Sequence, residues 1–156
     1  MAHHTYTSET IWQRGNQLFT DKRYSRSHLL RFDGGTEVAG SSSPHSVPPP
    51  YSVEAAIDPE EALVSAVSSC HMLWFLGIAA QRGHVIDSYH DQAEGVMTPN
   101  ERGRLAISKV TLRPLIVFSG SSLPTHEEID AMHHEAHESC NIANSIRGEV
   151  VIEAPR

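Results

Sequence analysis

The chain is poor in cysteine, with two in 156 residues, and poor in positive charge, with 12 Lys and Arg against 19 Asp and Glu. Two cysteines cannot supply the multi-disulfide framework of a small secreted scaffold. In a reducing compartment each is either inert core or chemistry. A net charge of -7 argues against nucleic-acid binding by bulk attraction and suits a cytoplasmic chain. No apolar segment follows the polar opening Met1-Ala-His-His-Thr-Tyr6, so no signal peptide is expected. Also lacking are a glycine-rich phosphate loop, a Gly-x-Ser-x-Gly elbow, a basic nucleic-acid stripe and any internal repeat. What is present, 39 % hydrophobic and 20 % charged residues, reads as one globular domain over residues 1–156, long enough to bury a core.

The longest apolar-rich run is Asp58-Pro-Glu-Glu to Gln81-Arg-Gly83, with Cys70 in its middle. Asp58 suits an N-cap, Pro59 the first helical position, and Glu61 completes a capping box. Gly83 is a natural stop. A helix from Pro59 to Arg82 rises about 36 Å. Met72 to Ala80 is apolar on nearly every side, which predicts burial all round. Ser, Cys and His interrupt the run, and its length falls short of a membrane span.

The flanks are strand-like. Residues 4–14, Tyr24–Phe32 and Thr36–Ala39 read as three strands, with Asp33-Gly-Gly35 as a turn. On the second strand Arg26, His28, Leu30 and Phe32 share a face aimed at the core. Gly40 to Tyr51 is an ordered surface loop whose three consecutive prolines favour extended polyproline geometry. Val85–Met97 and Leu105–Phe118 form two strands joined by Thr98–Gly103, and Pro114 marks a bulge or edge. Thr125-His-Glu-Glu128 opens a second helix, running to about Asn141, with the apolar stripe Ile129, Met132, Ala136, Cys140, Ala143. Gly148 to Glu153 is a last strand. This order predicts an α+β domain with a mainly antiparallel sheet.

Cys70 and Cys140 have a bland reading as small buried hydrophobes. Against it stand the polar collar of Ser68, Ser69 and His71 around Cys70, and Ser139 and Asn141 beside Cys140. Both lie on helices whose packing could bring the thiols together. A reactive thiolate needs nearby positive charge, yet no Arg or Lys occurs between Phe32 and Gln81. Arg26 is the first candidate for the activating cation and Arg31 the second. A buried arginine needs a carboxylate, and Glu60 is available. Ten residues of helix, about 15 Å, separate Glu60 from Cys70, so Glu60 could reach only the site of a partner subunit whose helix runs antiparallel.

Eleven histidines raise a metal reading. His133 and His137 at i, i+4 with Cys140 three residues on form a possible ligand face. The competing reading is a solvated flank among Glu127, Glu128, Glu135 and Glu138. His134-Glu-Ala-His137 is one residue short of the zinc-protease pattern. No cofactor and no metal is therefore assigned. Trp74 and Phe75 read as core filling before substrate channel.

Asp58-Pro-Glu60-Glu, Ser69-Cys70-His-Met-Leu-Trp-Phe, and Cys140 followed by Asn and Ala, in this order, resemble the OsmC/Ohr family of thiol peroxidases, in its OsmC-like branch. The resemblance covers nearly the whole chain. It implies an intertwined homodimer, with long central helices buried between sheets and active sites at the subunit interface. It implies Cys70 as peroxidatic cysteine, Cys140 as the resolving cysteine that closes a disulfide, and Glu60 as the carboxylate holding the catalytic arginine. The implied substrates are organic hydroperoxides, and the reductants dithiols, often lipoyl groups on other proteins. Neither nucleic acid nor membrane is an implied partner. Two features depart from the pattern: Asn141 stands where Ohr enzymes carry proline, and only the early arginine position, matched by Arg26, is filled. The alternative from another class is a non-catalytic protein of the same fold that binds a small apolar ligand, or a metal through His133, His137 and Cys140.

Overall fold

A computed structural model describes residues 3–154. By its internal packing the chain divides into two units, residues 1–62 and 63–156. The first holds an antiparallel sheet of β1 (Ser8–Ile11), β2 (His28–Phe32) and β3 (Glu37–Gly40), in the order β1-β2-β3. The turn at Asp33–Gly35 is as expected, closed by the Gly35 N–H on the Phe32 carbonyl. The strands are shorter than the sequence suggests. Arg26 lies before β2 and not on it, because its N–H goes to the Tyr51 carbonyl and the Ser27 N–H goes to Ser25 Oγ. Such local bonds compete with a ladder, which here begins at His28 opposite Gly40. The proline run also differs from polyproline geometry: Tyr51 N–H turns back to the Pro48 carbonyl. The loop is nonetheless ordered, tied by Ser41 N–H to the Ile57 carbonyl and Val53 N–H to Ser41 Oγ.

The helix α1 (Pro59–Gln81) begins as its sequence dictates. Asp58 Oδ1 accepts from Glu61 N–H at 2.8 Å, and Glu61 Oε2 accepts from Asp58 N–H at 3.1 Å. A cap of this kind contributes about 1 kcal/mol. At the other end Gly83 N–H bonds the Ala80 carbonyl and His84 N–H bonds that of Ala79, the Schellman arrangement. It needs a left-handed residue, and Gly83 supplies φ +81°.

In the second unit, residues 85–97 and 105–118 each split in two. The strands are β4 (Val85–Asp91), β5 (Glu94–Pro99), β6 (Leu105–Leu112) and β7 (Pro114–Ser119). β4 pairs with β7, while β5 pairs with β6 in a separate sheet. The physical cause sits at the joint. Pro114 has no N–H for a ladder, and the N–H of Arg113 is taken by Asp91 Oδ1 at 2.6 Å. After α2 (His126–Ser139), which opens on the expected Thr125 capping box, a single 3-10 turn (Ala143–Ser145) leads to β8 (Glu149–Ile152). β8 joins β6 in parallel, the other strand pairs being antiparallel. Gly148 is required there, since a Cβ would meet the Ile107 carbonyl oxygen at 2.5 Å.

Two apolar clusters organise this unit. Phe75, Ile78 and Ala79 of α1 pack on Met132 and Ala136 of α2, with Ile86, Tyr89, Ile116 and Phe118 of β4 and β7 alongside. Val67 of α1 packs on Val110 and Leu112 of β6. Each fully buried Val, Leu, Ile, Phe or Met among them contributes roughly 1.5–3 kcal/mol. The buried residues Val67, His71, Phe75, Ile78 and Ala79 make one stripe of α1, at helical spacing. The other side is bare: Leu73 is 62 % exposed and Trp74 41 %. Burial all round is therefore not achieved within one chain, and of the pair expected to fill the core only Phe75 does. By length and composition alone α1 would suffice to cross a membrane, against the expectation that it falls short. Its packed stripe and mid-helix Ser68, Cys70 and His71 fit the core helix of a globular fold instead.

Candidate functional site

The site is built where α1 meets α2. Cys70, on the twelfth residue of α1, is half-buried, and Cys140, at the C-cap of α2, is 1 % exposed. Both are free thiols. α2 ends at Cys140, whose backbone is extended at φ -69°, ψ 109°, and the chain then curls into the 3-10 turn. That curl turns the Ala143 N–H onto Cys140 Sγ at 3.3 Å. Burial pushes the Cys140 thiol above its ordinary value, and the neighbouring Cys70 thiol adds to the rise. The N–H groups of Ala143 and Ile142 pull the other way without reversing it. The two cysteines singled out in the sequence are thus side by side in chemistry as well as in space: one reachable, the other sheltered and held protonated.

The remaining candidates lie in the first unit. Arg31 is committed to Glu9 at 2.8 Å and Glu37 at 2.7 Å on the surface of the sheet. It also borders a cavity of about 400 Å³ lined by Thr7, Ser8, Glu9, Phe32 and Asp33. Arg26 is different. Its Nη1 donates to the carbonyls of Lys22, at 2.8 Å, and Tyr24, and its guanidinium lies 3.9 Å over the Tyr24 ring. Among the described residues it forms no ion pair with a carboxylate. Glu60 sits in the first turn of α1, which runs unbroken to Cys70, so about 15 Å of helix separates the two.

The structure does not gather His133, His137 and Cys140 into a ligand set. Among the described residues no three His, Cys, Asp or Glu side chains are arranged to hold an ion. His133 is not a solvated flank either. It is 4 % exposed, and its Nδ1 lies 3.0 Å from Nε2 of His71, itself 1 % exposed. The ring planes are 10° apart and the centroids 5.3 Å. That separation equals the N···N distance plus a ring radius on each side, so the imidazoles meet edge to edge in a common plane. Phe75 packs against His133 at 4.3 Å. Desolvation drops both histidines to about 4. For His71, repulsion from His133 and His137 adds to the drop and Asp91 opposes it; for His133, Asp130 opposes it. Beside them Asp91 accepts from Ser68 Oγ at 2.5 Å, while burial and the Asp91 charge raise Tyr89.

Sequence reading missed this pair. The available signal was His71 itself, a polar residue in the middle of an apolar helix that must find a partner if buried. His133 directly follows Met132 on the apolar stripe of α2, which places it at the edge of the buried face.

The chain matches the model of the family described as OsmC-like protein over residues 52–154. Its structure is similar to that of an OsmC-like protein of unknown function from Vibrio cholerae, with 49 % identity and a TM-score of 0.96, over 98 % of this chain and 100 % of the other. An organic hydroperoxide resistance protein from Elizabethkingia anophelis shares the fold at 16 % identity and a TM-score of 0.69, over 98 % of this chain and 95 % of the other. One from Legionella pneumophila does so at 18 % and 0.65, over 99 % and 97 %. Among curated proteins none matches.

Proposed function

The chain belongs to the OsmC-like family, and from that premise we propose that it is a thiol-dependent peroxidase reducing organic hydroperoxides through Cys70 and Cys140. The observation that carries the reading is the juxtaposition of two free thiols of unequal exposure on the packed helices α1 and α2. Family membership supports a role in peroxide chemistry, and two fold neighbours are named for organic hydroperoxide resistance.

The inequality supports a division of roles. The first step is attack of a thiolate on the O–O bond, giving a sulfenic acid and releasing an alcohol. Cys70 is half-buried and reachable, whereas Cys140 is sealed and protonated by burial. Cys140 then attacks the Cys70 sulfenic acid, releasing water and closing a disulfide. A dithiol, such as a lipoyl group on another protein, reopens it.

Activation of Cys70 requires a cation, and Arg26 is the residue we assign, with Glu60 as the carboxylate that orients it. Both assignments rest on a homodimer in which the central helices run antiparallel, so that each Glu60 serves the partner's site. The exposed Leu73 and Trp74 of α1 support that arrangement, since apolar side chains of this size favour a covering surface. A cytoplasmic location, where thiols are kept reduced, suits the chemistry. No metal, organic cofactor, nucleic acid or membrane enters the scheme.

Steady-state turnover tests it. With a dithiol such as dihydrolipoamide as reductant, cumene hydroperoxide should be consumed catalytically, and faster than hydrogen peroxide. No consumption above the protein-free rate would leave the fold without this activity.

A further inference from the structure

Residues 12–26 have no part in the scheme above beyond Arg26, yet their composition departs from the rest of the chain. Four of the 12 Lys and Arg fall there, Arg14, Lys22, Arg23 and Arg26, but only one of the 19 Asp and Glu, Asp21. Among the described residues none of the four forms an ion pair, whereas Arg31, Arg82 and Arg113 do. A chain of net charge -7 thus keeps one short segment positive and unneutralised.

The segment is built as a platform. Trp12 donates its indole N–H to the Ser25 carbonyl at 2.9 Å, and Gln17 Oε1 accepts from the Ser25 N–H at 2.7 Å. The Trp12, Phe19 and Tyr24 rings pack on one another with centroids 4.7 to 5.9 Å apart, and the Arg26 guanidinium covers Tyr24. Lys22 turns the chain at φ +63°, the one positive φ outside glycine among the described residues, a conformation unfavourable for a side-chain-bearing residue. Its N–H closes the turn on the Phe19 carbonyl at 3.1 Å. From this platform project Leu18, 74 % exposed, and Phe19, 50 % exposed. Arg14, Lys22 and Arg23 are exposed on the same loop.

Aromatic residues and arginine are the types that protein interfaces concentrate, and unneutralised positive charge selects a negative partner. We propose that residues 12–26 form the docking surface for the reductant, an acidic protein that carries the dithiol and whose carboxylates meet Arg14, Lys22 and Arg23. This rests on the peroxidase reading, in which Arg26, from the same segment, serves Cys70 and so sets the surface beside the disulfide to be opened. A protein fits better than a bilayer. Trp12 and Tyr24 are pinned within the platform, which leaves Leu18 and Phe19 to insert, and bilayer binding grows with the apolar area inserted.

The docked dithiol opens the disulfide by exchange. One carrier thiol, as thiolate, attacks the Cys70 sulfur, and Cys140 leaves and takes up a proton. The second carrier thiol then displaces Cys70 from the mixed disulfide, and Cys70 takes up the second proton. Two electrons and two protons pass to the enzyme, and the carrier's dithiol becomes its disulfide. A small, charge-steered contact suits a partner that must leave after each turnover.

Lys22→Glu combined with Arg23→Glu tests the surface, at two exposed residues that hold the loop through backbone atoms. Turnover of cumene hydroperoxide is measured with two reductants, a reduced lipoyl domain rich in Asp and Glu and free dihydrolipoamide. For the unsubstituted protein the KM for the domain should rise with salt, as charges are screened. The double variant should lose about tenfold or more in kcat/KM for the domain, lose most of that salt dependence, and keep its rate with free dihydrolipoamide. Unchanged kcat/KM for the domain would overturn the docking surface. If the double variant slows free dihydrolipoamide as well, Leu18→Glu decides by the same two rates. Vesicles of equal phosphatidylglycerol and phosphatidylcholine, and sedimentation velocity, cover the other occupants. Loss of vesicle binding or of self-association in the variant, with the domain kinetics unchanged, would assign the surface to lipid or to a second copy and contradict the proposal. No turnover by the unsubstituted protein with free dihydrolipoamide is a different failure, which removes the peroxidase reading itself.

Discussion

Replacing Cys70 with serine should reduce hydroperoxide turnover to the protein-free background, a loss on the order of 10³-fold or more for removal of a nucleophile. A serine hydroxyl of the same shape is a far weaker nucleophile at neutral pH. Cys140→Ser should behave differently. Cys70 still reacts once, but its sulfenic acid finds no second thiol and climbs to sulfinic and sulfonic acid under excess peroxide. Mass spectrometry of the two variants after a graded dose of cumene hydroperoxide reads this directly: no added oxygen on Cys70→Ser, two or three on Cys140→Ser. Equal behaviour would contradict the assignment from burial, because nothing else in the geometry distinguishes the cysteines so plainly. The fold should survive both changes, since serine at the half-buried Cys70 can share the polar collar, and at Cys140 it can still accept from the Ala143 N–H.

Acid should weaken the fold through the same two helices. His71 and His133 have folded-state values near 4, against about 6.5 in an unfolded chain. Between these values the unfolded state binds more protons, so stability rises with pH. The contribution is complete above about 6.5, is lost as pH falls from there toward 4, and levels off below. At about 1.4 kcal/mol per unit, the first imidazole gives up roughly 3 kcal/mol. The pair gives less than twice that, because part of the His71 depression is repulsion from a charged His133. Urea unfolding at intervals from pH 7 to 4 measures it. The double variant His71→Gln, His133→Asn should lose less stability over that range, while carboxylate titration stays common to both proteins. Parallel slopes for the two proteins would contradict the buried, neutral pair.

Much of this was written in local sequence. Asp58, Pro59, Glu61 and Gly83 fix α1 at both ends through bonds of three to five residues' reach, and Thr125 with Glu128 does so for α2. The cysteines stood out because there are only two and both fall on helices. What escaped depends on distant partners. His71 meets His133 across 62 residues, and neither position carries a local mark of the other. The break of the long strands at Gln92–Ala93 and Arg113 turns on Asp91 reaching the Arg113 N–H, again a tertiary event overriding a continuous β pattern. Arg26 left its expected strand because Tyr51, far along the chain, accepts its backbone N–H. The exposed side of α1 misled in another way: an all-round apolar helix implies complete cover, but one chain covers only one stripe of it.

The central claim is that Cys70 and Cys140 act as one redox couple, and counting thiols tests it most directly. Reduced protein is given one equivalent of cumene hydroperoxide, denatured, titrated for free thiol and digested without reductant. The account predicts the loss of both thiols per chain and a cross-linked peptide joining Cys70 to Cys140 of the same chain. Two surviving thiols, or a link between the cysteines of different chains, would contradict it.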